Sequence, residues 1–173
     1  MATMVIPTPT TSLLQEFRDE AAITKRVLQR IPADKLTWKP HEKSMTLGQL
    51  AGHVALIPGR ISKMAQLDSF DVLKGSFVPA QPSGLDEVLT GYEQSVRDAE
   101  QFLQSVTEES LRAKWRLMKG DREIFTQSRA VVVRTIMLNY WYHHRGQLSV
   151  YLRLLNVPLP VIYGRSADED PFA

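Results

Sequence analysis

The segment Leu138–Glu169, LNYWYHHRGQLSVYLRLLNVPLPVIYGRSADE, decides the fold and gives the first indication of a site. Its first half has the apolar spacing of a helix, whereas its second half is punctuated by prolines and a glycine and predicts an extended tail. An ordinary amphipathic helix would not place His144, Gln147 and Tyr151 on its apolar stripe. This choice of residues predicts a polar site on one face of the helix.

Hydrophobic periodicity outward from this segment predicts three further helices. The four helices are expected at about 12–31, 46–67, 85–106 and 126–155. Thr46 is a plausible N-cap of the second helix, and Pro58 predicts a kink within it because proline removes one backbone hydrogen bond. Four long helices with no convincing strand series predict an all-α four-helix bundle with long connections and an extended C-terminal tail.

The remaining segments are expected to be irregular. Residues 1–11 predict a flexible N-terminal arm that precedes a single domain over 12–173. Apolar and polar residues alternate poorly in the connection 111–125, so we expect an irregular segment. The Gly120-Asp121 turn is compatible with a small hairpin within it.

Composition excludes several classes of function. The chain has 173 residues and no cysteine, which fits one domain and excludes disulfides, thiolate metal sites and a cysteine nucleophile. Lys and Arg number 21 against 19 for Asp and Glu, and they are scattered, so no nucleic-acid partner is expected. The chain shows neither a signal-peptide pattern nor about 20 uninterrupted apolar residues. We therefore expect a cytoplasmic protein without a membrane partner.

The candidate site is built from two predicted helices. Tyr140 and His144 are four residues apart and share a helix face, whereas His143 is rotated by about 100° from His144 and is expected at the surface. His53 is the histidine on the predicted apolar face of the second helix. If the two helices are adjacent, His53 and His144 meet across the core. The residues leave two readings open, a metal site with Tyr140 nearby or a neutral hydrogen-bonded cluster.

Three neighbouring features have simpler structural readings. Arg145 is expected to form an ion pair with an acidic residue of another helix rather than to bind an anion. Gly146 predicts a close helix crossing, because glycine is otherwise unfavourable inside a helix. The carboxylates of the first helix are expected to form a solvated acidic face that suits the helix dipole; they are Glu16, Asp19 and Glu20.

Three sequence blocks resemble the DinB-like (DinB/YfiT) superfamily of bacterial four-helix bundles. They are TLGQLAGH at 46–53, YHHRGQLSVYLR at 142–153 and VPLPVIYGRSADE at 157–169. The helix pattern covers nearly the whole chain, so the resemblance implies the bundle fold.

The resemblance also implies a metal site. In that family a divalent metal is typically bound by three histidines, one on the second helix and two on the fourth at positions four apart. The first and last map to His53 and His144, and the middle one maps to Tyr140, which departs from the pattern. The implied cofactor is Zn, Ni or Mn. A phenol must lose its proton to ligate well, so the implied site is weaker than three histidines.

Related enzymes are transferases and isomerases that use low-molecular-weight thiols, and their metal lowers the pKa of the thiol. The resemblance therefore implies a metal-dependent thiol S-transferase or hydrolase, with a small-molecule or thiol substrate and Tyr140 as the catalytic candidate. The alternative is a non-catalytic bundle that binds a small molecule or dimerises after losing a metal-binding histidine. Family members are often dimeric, so the resemblance implies a homodimer.

Overall fold

The computed structural model describes residues 8–76 and 78–172. The first three long helices are α1 (Pro9–Leu28), α2 (Leu47–Gln66) and α3 (Leu85–Ser105). They are followed by the short α4 (Glu108–Arg112). The last long helical segment consists of α5 (Arg129–Val132), a π-helical stretch (Val133–Asn139) and α6 (Tyr140–Leu154). Helix α2 packs against α3 and α6, so the helix that contains His53 lies beside the helix that contains Tyr140 and His144.

A three-stranded sheet corrects the all-α prediction. Its strands are β1 (Ser69–Asp71), β2 (Lys114–Lys119) and β3 (Arg122–Ser128), in the order β1-β2-β3. Strands β2 and β3 form an antiparallel hairpin around Gly120, whose φ of 59° favours glycine, while β1 pairs with β2 in parallel. The hairpin that the sequence allowed is present and longer than expected. The chain is therefore predominantly helical with a small sheet.

The first helix begins earlier than predicted. It starts at Pro9, not Ser12, because Thr8 caps its N-terminus and proline has a backbone angle suited to the first helical position. Residues 9–11 of the predicted flexible arm are therefore helical, and residues 1–7 lie outside the described part of the chain.

The last helical segment begins later than predicted, because β3 continues to Ser128 and the helix starts at Arg129. The buried Arg129 guanidinium donates to the carbonyl oxygens of Ala65 and Leu67 at the end of α2 and to that of Ser110. A cation at a helix C-terminus stabilises the exposed carbonyls there. Arg129 thus connects the sheet region to the bundle.

Pro58 lies inside α2 and changes its hydrogen bonding. Proline has no N–H, so the carbonyl oxygen of Val54 lacks its usual helical partner. The indole Nε1 of Trp141 on α6 donates to that oxygen at 2.9 Å. The next residue, Gly59, donates its N–H to Ser95 Oγ on α3 at 2.8 Å, and a Cβ at Gly59 would lie 2.9 Å from the Ser95 Cα. The Pro58-Gly59 pair therefore allows α2 to approach both neighbouring helices.

The tail after α6 packs back on the bundle. Asn156 has a φ of 57° and ends the helix in the left-handed conformation. Beyond it, Glu169 accepts hydrogen bonds from Arg26 of α1 and from Arg30 just after that helix, and Asp168 pairs with Arg153 of α6. None of the described helices has the length and apolar character that a membrane span requires.

Candidate functional site

The structure brings together His53 of α2 with Tyr140 and His144 of α6. The Tyr140 hydroxyl lies 3.0 Å from His53 Nε2. The centroid of the His144 ring lies 4.6 Å from that of His53 and 4.3 Å from that of Tyr140, in both cases edge to face. Three side chains from two helices thus form one compact cluster.

Gln147 determines which nitrogen of His144 carries the proton. His144 Nδ1 lies 2.7 Å from Gln147 Oε1, and an amide oxygen can only accept, so Nδ1 donates. The lone pair of His144 is therefore on Nε2. This atom is buried and has no hydrogen-bond partner among the described residues. Since buried polar atoms are almost always paired, an unpaired acceptor indicates a place for a ligand.

Both imidazoles are held neutral. Burial lowers the pKa of His53, and repulsion from Arg60 and from a protonated His144 adds to this effect, so that the pKa is about 4. Burial also lowers the pKa of His144, although the hydrogen bond to Gln147 acts in the opposite direction. Neutral imidazole is the form that accepts a proton or binds a metal.

Tyr140 is present as the phenol. Burial raises its pKa, so the hydroxyl keeps its proton near neutral pH and shares a hydrogen bond with His53 Nε2. Its side chain nevertheless remains accessible, since the residue is 40% exposed. The cluster consequently has a buried end at His144 and an open end at Tyr140.

Tyr151 of the predicted polar face does not join the cluster, and His143 contacts it from the solvent side, with its ring centroid 4.9 Å from that of His144. His143 is exposed, as expected for a residue rotated away from His144. Tyr151 donates to the Met45 carbonyl oxygen and packs edge-on against Trp38. The crossing predicted at Gly146 is wrong, because a Cβ there would have no atom within 4 Å in the part of the chain that is described.

Arg145 forms the expected ion pair. Its side chain is 1% exposed, and its Nη1 lies 2.6 Å from Glu20 Oε2 of α1. It also donates to Thr24 Oγ1 and to the Tyr163 hydroxyl of the tail. The predicted solvated acidic face is therefore wrong for Glu20, which compensates a buried cation.

The same correction applies to Glu16. Both of its carboxylate oxygens accept from Arg134, at 2.5 and 2.7 Å, and one accepts from the Tyr142 hydroxyl at 3.0 Å. These bonds, led by that from Arg134, lower the pKa of Glu16. Asp19, by contrast, is exposed and accepts from the nearby Gln15 side chain.

The cluster matches part of a metal site. His53 and His144 offer two neutral nitrogen ligands, and Gln147 orients one of them as groups around metal sites commonly do. The third position is a protonated phenol, which is a poor ligand. Within residues 8–76 and 78–172, no three side chains of His, Asp or Glu gather to hold a metal ion. The donor set therefore fits a two-nitrogen site and does not fit a three-histidine site.

Arg60 is a site residue that the sequence reasoning missed. It follows His53 by seven residues, which is two helical turns, so both side chains lie on the same side of α2. Its charge contributes to the low pKa of His53. This spacing was the available signal, but an arginine at one exposed helical position is too common to stand out.

Comparison with known proteins identifies the fold and the family. The structure is similar to a DinB-like protein from Bacillus subtilis, with a TM-score of 0.68 and 17% identity over 90% of this chain and 99% of that one. It is also similar to a DinB-like protein from Bacillus cereus, with a TM-score of 0.69 and 21% identity over 87% of this chain and 95% of that one. No curated protein matches the sequence. The DinB family model matches residues 4–170, and the chain therefore belongs to the DinB family.

Proposed function

We propose that this DinB-family chain binds a divalent metal ion at His53 and His144 and uses it on a small molecule, in thiol transfer or hydrolysis. The observation that supports this most directly is the unpaired Nε2 of His144, buried beside a second neutral imidazole. A metal ion requires deprotonated nitrogen donors, and both histidines supply them. With two protein ligands, several coordination positions remain for a substrate.

Each residue has a defined task in this proposal. His53 and His144 would hold the metal, and Gln147 keeps the His144 lone pair on Nε2. A bound Zn, Ni or Mn ion would lower the pKa of a thiol or water. The Tyr140 hydroxyl keeps its proton at neutral pH and lies at the open end, so it is the candidate proton donor to a leaving group.

A second candidate function is supported by the same tyrosine. The Tyr140 hydroxyl is hydrogen-bonded to His53 Nε2, and this bond occupies a nitrogen that a metal would need. This contact favours a non-catalytic bundle that binds a small molecule through hydrogen bonds. That such a bundle acts as a homodimer is a separate proposal, which rests on the family resemblance. Sedimentation equilibrium tests the homodimer, since a mass near the 19.6 kDa of one chain would contradict it.

Metal binding by the purified, untagged protein distinguishes the two functions. We expect near-stoichiometric Zn, Ni or Mn by elemental analysis, lost in His53→Ala and retained in the matched control His143→Ala, whose side chain is exposed. Tyr140→His should complete the three-histidine set and tighten binding by at least tenfold, about 1.4 kcal/mol. Absence of metal in the wild type together with tight binding by Tyr140→His would favour the second function. No binding by either protein would contradict a metal site altogether.

A further inference from the structure

A small cavity lies beside His53, between α2, the first turns of α3 and the loop 79–82. Its volume is about 60 Å³, and its walls are mostly apolar. The residues that matter for its shape are Gly52, Ala55, Leu56, Pro82, Val88 and Gly91. An engineered cavity of about 150 Å³ holds benzene, so this one is too small for a ring and encloses about three carbon atoms.

The loop wall of the cavity is fixed in place. Gln49 Nε2 donates to the Pro79 carbonyl oxygen at 3.3 Å, and Thr46 Oγ1 donates to Gln81 Oε1 at 2.5 Å. Gln81 Nε2 in turn donates to the Leu36 carbonyl oxygen at 3.2 Å. A wall held by three hydrogen bonds loses little conformational entropy when a ligand binds.

Arg60 provides an uncommitted positive charge at this cavity. Its guanidinium has neither an ion pair nor a hydrogen bond with any described side chain, although most arginines of the chain are paired. The one carboxylate of the cavity, Glu87, accepts instead from the N–H and hydroxyl of Ser83, both at 2.7 Å. A guanidinium binds carboxylates through two parallel hydrogen bonds.

We propose that this cavity binds a small branched aliphatic carboxylate, with the carboxylate on Arg60 and the alkyl group against Leu56 and Val88. Apolar walls with one oriented polar group are typical of small-molecule sites. His53 lines the same cavity, so the ligand lies next to the candidate metal site. The ligand's role as a substrate rests on the proposed function, whereas its binding does not require a metal.

Gly52 allows the cavity to be filled without damage to the fold. It lies inside α2 and lines the cavity, and a Cβ there would meet no atom within 4 Å. Gly52→Leu should therefore occupy the space while improving helix propensity. Gly146→Leu is the matched control, because Gly146 is equally free of neighbours inside α6 and lies outside the cavity.

The experiment is a titration of the metal-free protein with isobutyrate, followed by 1H–15N NMR at pH 7. We expect saturable shifts at Gly52, Arg60 and Gly91. Arg60→Gln and Gly52→Leu should each weaken binding at least tenfold, and Gly146→Leu and Arg122→Gln should change it less than twofold; Arg122 is another arginine without a partner among the described side chains.

Two further probes identify the chemistry that is recognised. Isobutyramide has the same shape without the charge, and inorganic phosphate has charge without an alkyl group. The proposal predicts that both bind at least tenfold more weakly than isobutyrate. It is overturned if isobutyramide binds as tightly, if phosphate binds as tightly, or if isobutyrate produces no saturable shift.

Failure of the cavity proposal is distinguishable from failure of the metal site. Repeating the titration on the wild-type protein, with and without Ni²⁺, reports both events in one sample. Isobutyrate binding without any metal binding would contradict the proposed function and support the cavity. Metal binding without isobutyrate binding would overturn the cavity proposal and leave the metal site in place.

Discussion

His144 and Arg145 are adjacent on α6, but their side chains belong to opposite kinds of polar cluster. Arg145 is 1% exposed and is fully engaged by Glu20, Thr24 and Tyr163. His144 is 7% exposed and has one bound nitrogen and one without any partner in the described chain. A buried group with every hydrogen bond made holds elements together, whereas a buried acceptor left open is a cost that a ligand can remove.

The largest expected loss of stability comes from breaking the cluster that Arg145 forms with Glu20, Thr24 and Tyr163. Arg145→Leu removes the cation and leaves the Glu20 carboxylate without compensation in a nearly buried position. Loss of one partner of a buried ion pair typically costs about 3–5 kcal/mol. Equilibrium unfolding in urea measures this free energy.

Arg18→Leu is the matched control for that measurement. Arg18 pairs with Glu100, and their side chains are 45% and 31% exposed, so its loss should cost less than about 1 kcal/mol. Similar losses in both variants would contradict the structural role assigned to the Arg145 cluster.

The next largest expected effect is a loss of stability in acid, caused by the cluster of His53, Tyr140 and His144. The ordinary histidine pKa is 6.5, and that of His53 in the folded protein is about 4. Between these values the unfolded chain takes up a proton that the folded chain excludes, so stability present above pH 6.5 is lost as the pH falls towards 4. Partial exposure of His53 limits the loss to about 1–2 kcal/mol.

Urea unfolding at pH 7 and pH 5 tests this dependence. The interval lies above the range in which the paired carboxylates titrate, so the histidines dominate it. His53→Leu should show a smaller decrease between the two pH values than the wild type. An equal decrease in both proteins would contradict the low pKa of His53.

The smallest expected effect is an increase in the free energy of unfolding. His144→Leu replaces the unpaired Nε2 by an apolar side chain that fits helix α6, and should raise the free energy of unfolding by about 1 kcal/mol. The matched control His143→Leu, at an exposed position, should change it by less than about 0.5 kcal/mol. A clear loss of stability in His144→Leu would mean that this histidine is structural.

The sequence predicted the parts of the fold that depend on local patterns. The helices follow from apolar spacing, and Thr46 forms the capping box that begins α2. The meeting of His53 and His144 followed from placing each on an inward face. The hairpin of β2 and β3 was anticipated at the Gly120-Asp121 turn, but its pairing with β1 was missed. Strand β1 has three residues and pairs with a strand more than forty residues later, so it leaves no local pattern in the sequence.

The partners of the polar residues were harder to predict. From sequence spacing, Glu16 and Glu20 were expected on a solvated face of α1, but their partners come from α6, the π-helical segment and the tail. Arg145 among these partners is buried, whereas the Arg134 side chain is 44% exposed. The π-helical segment Val133–Asn139 has no sequence signature, although it ends directly before Tyr140. Hydrogen bonds within a helix depend on packing, and packing is set by the whole chain.

Pro58 leaves the carbonyl oxygen of Val54 without a helical partner, and this oxygen also fixes how α2 and α6 are aligned along their axes. The Trp141 indole can bond to one oxygen along α2, and it bonds to the one without a helical partner. His53 precedes Val54 by one residue, and His144 follows Trp141 by three. A shift of one turn, about 5.4 Å, would separate the two imidazoles. A residue that is unfavourable inside helices thus aligns the two halves of the site.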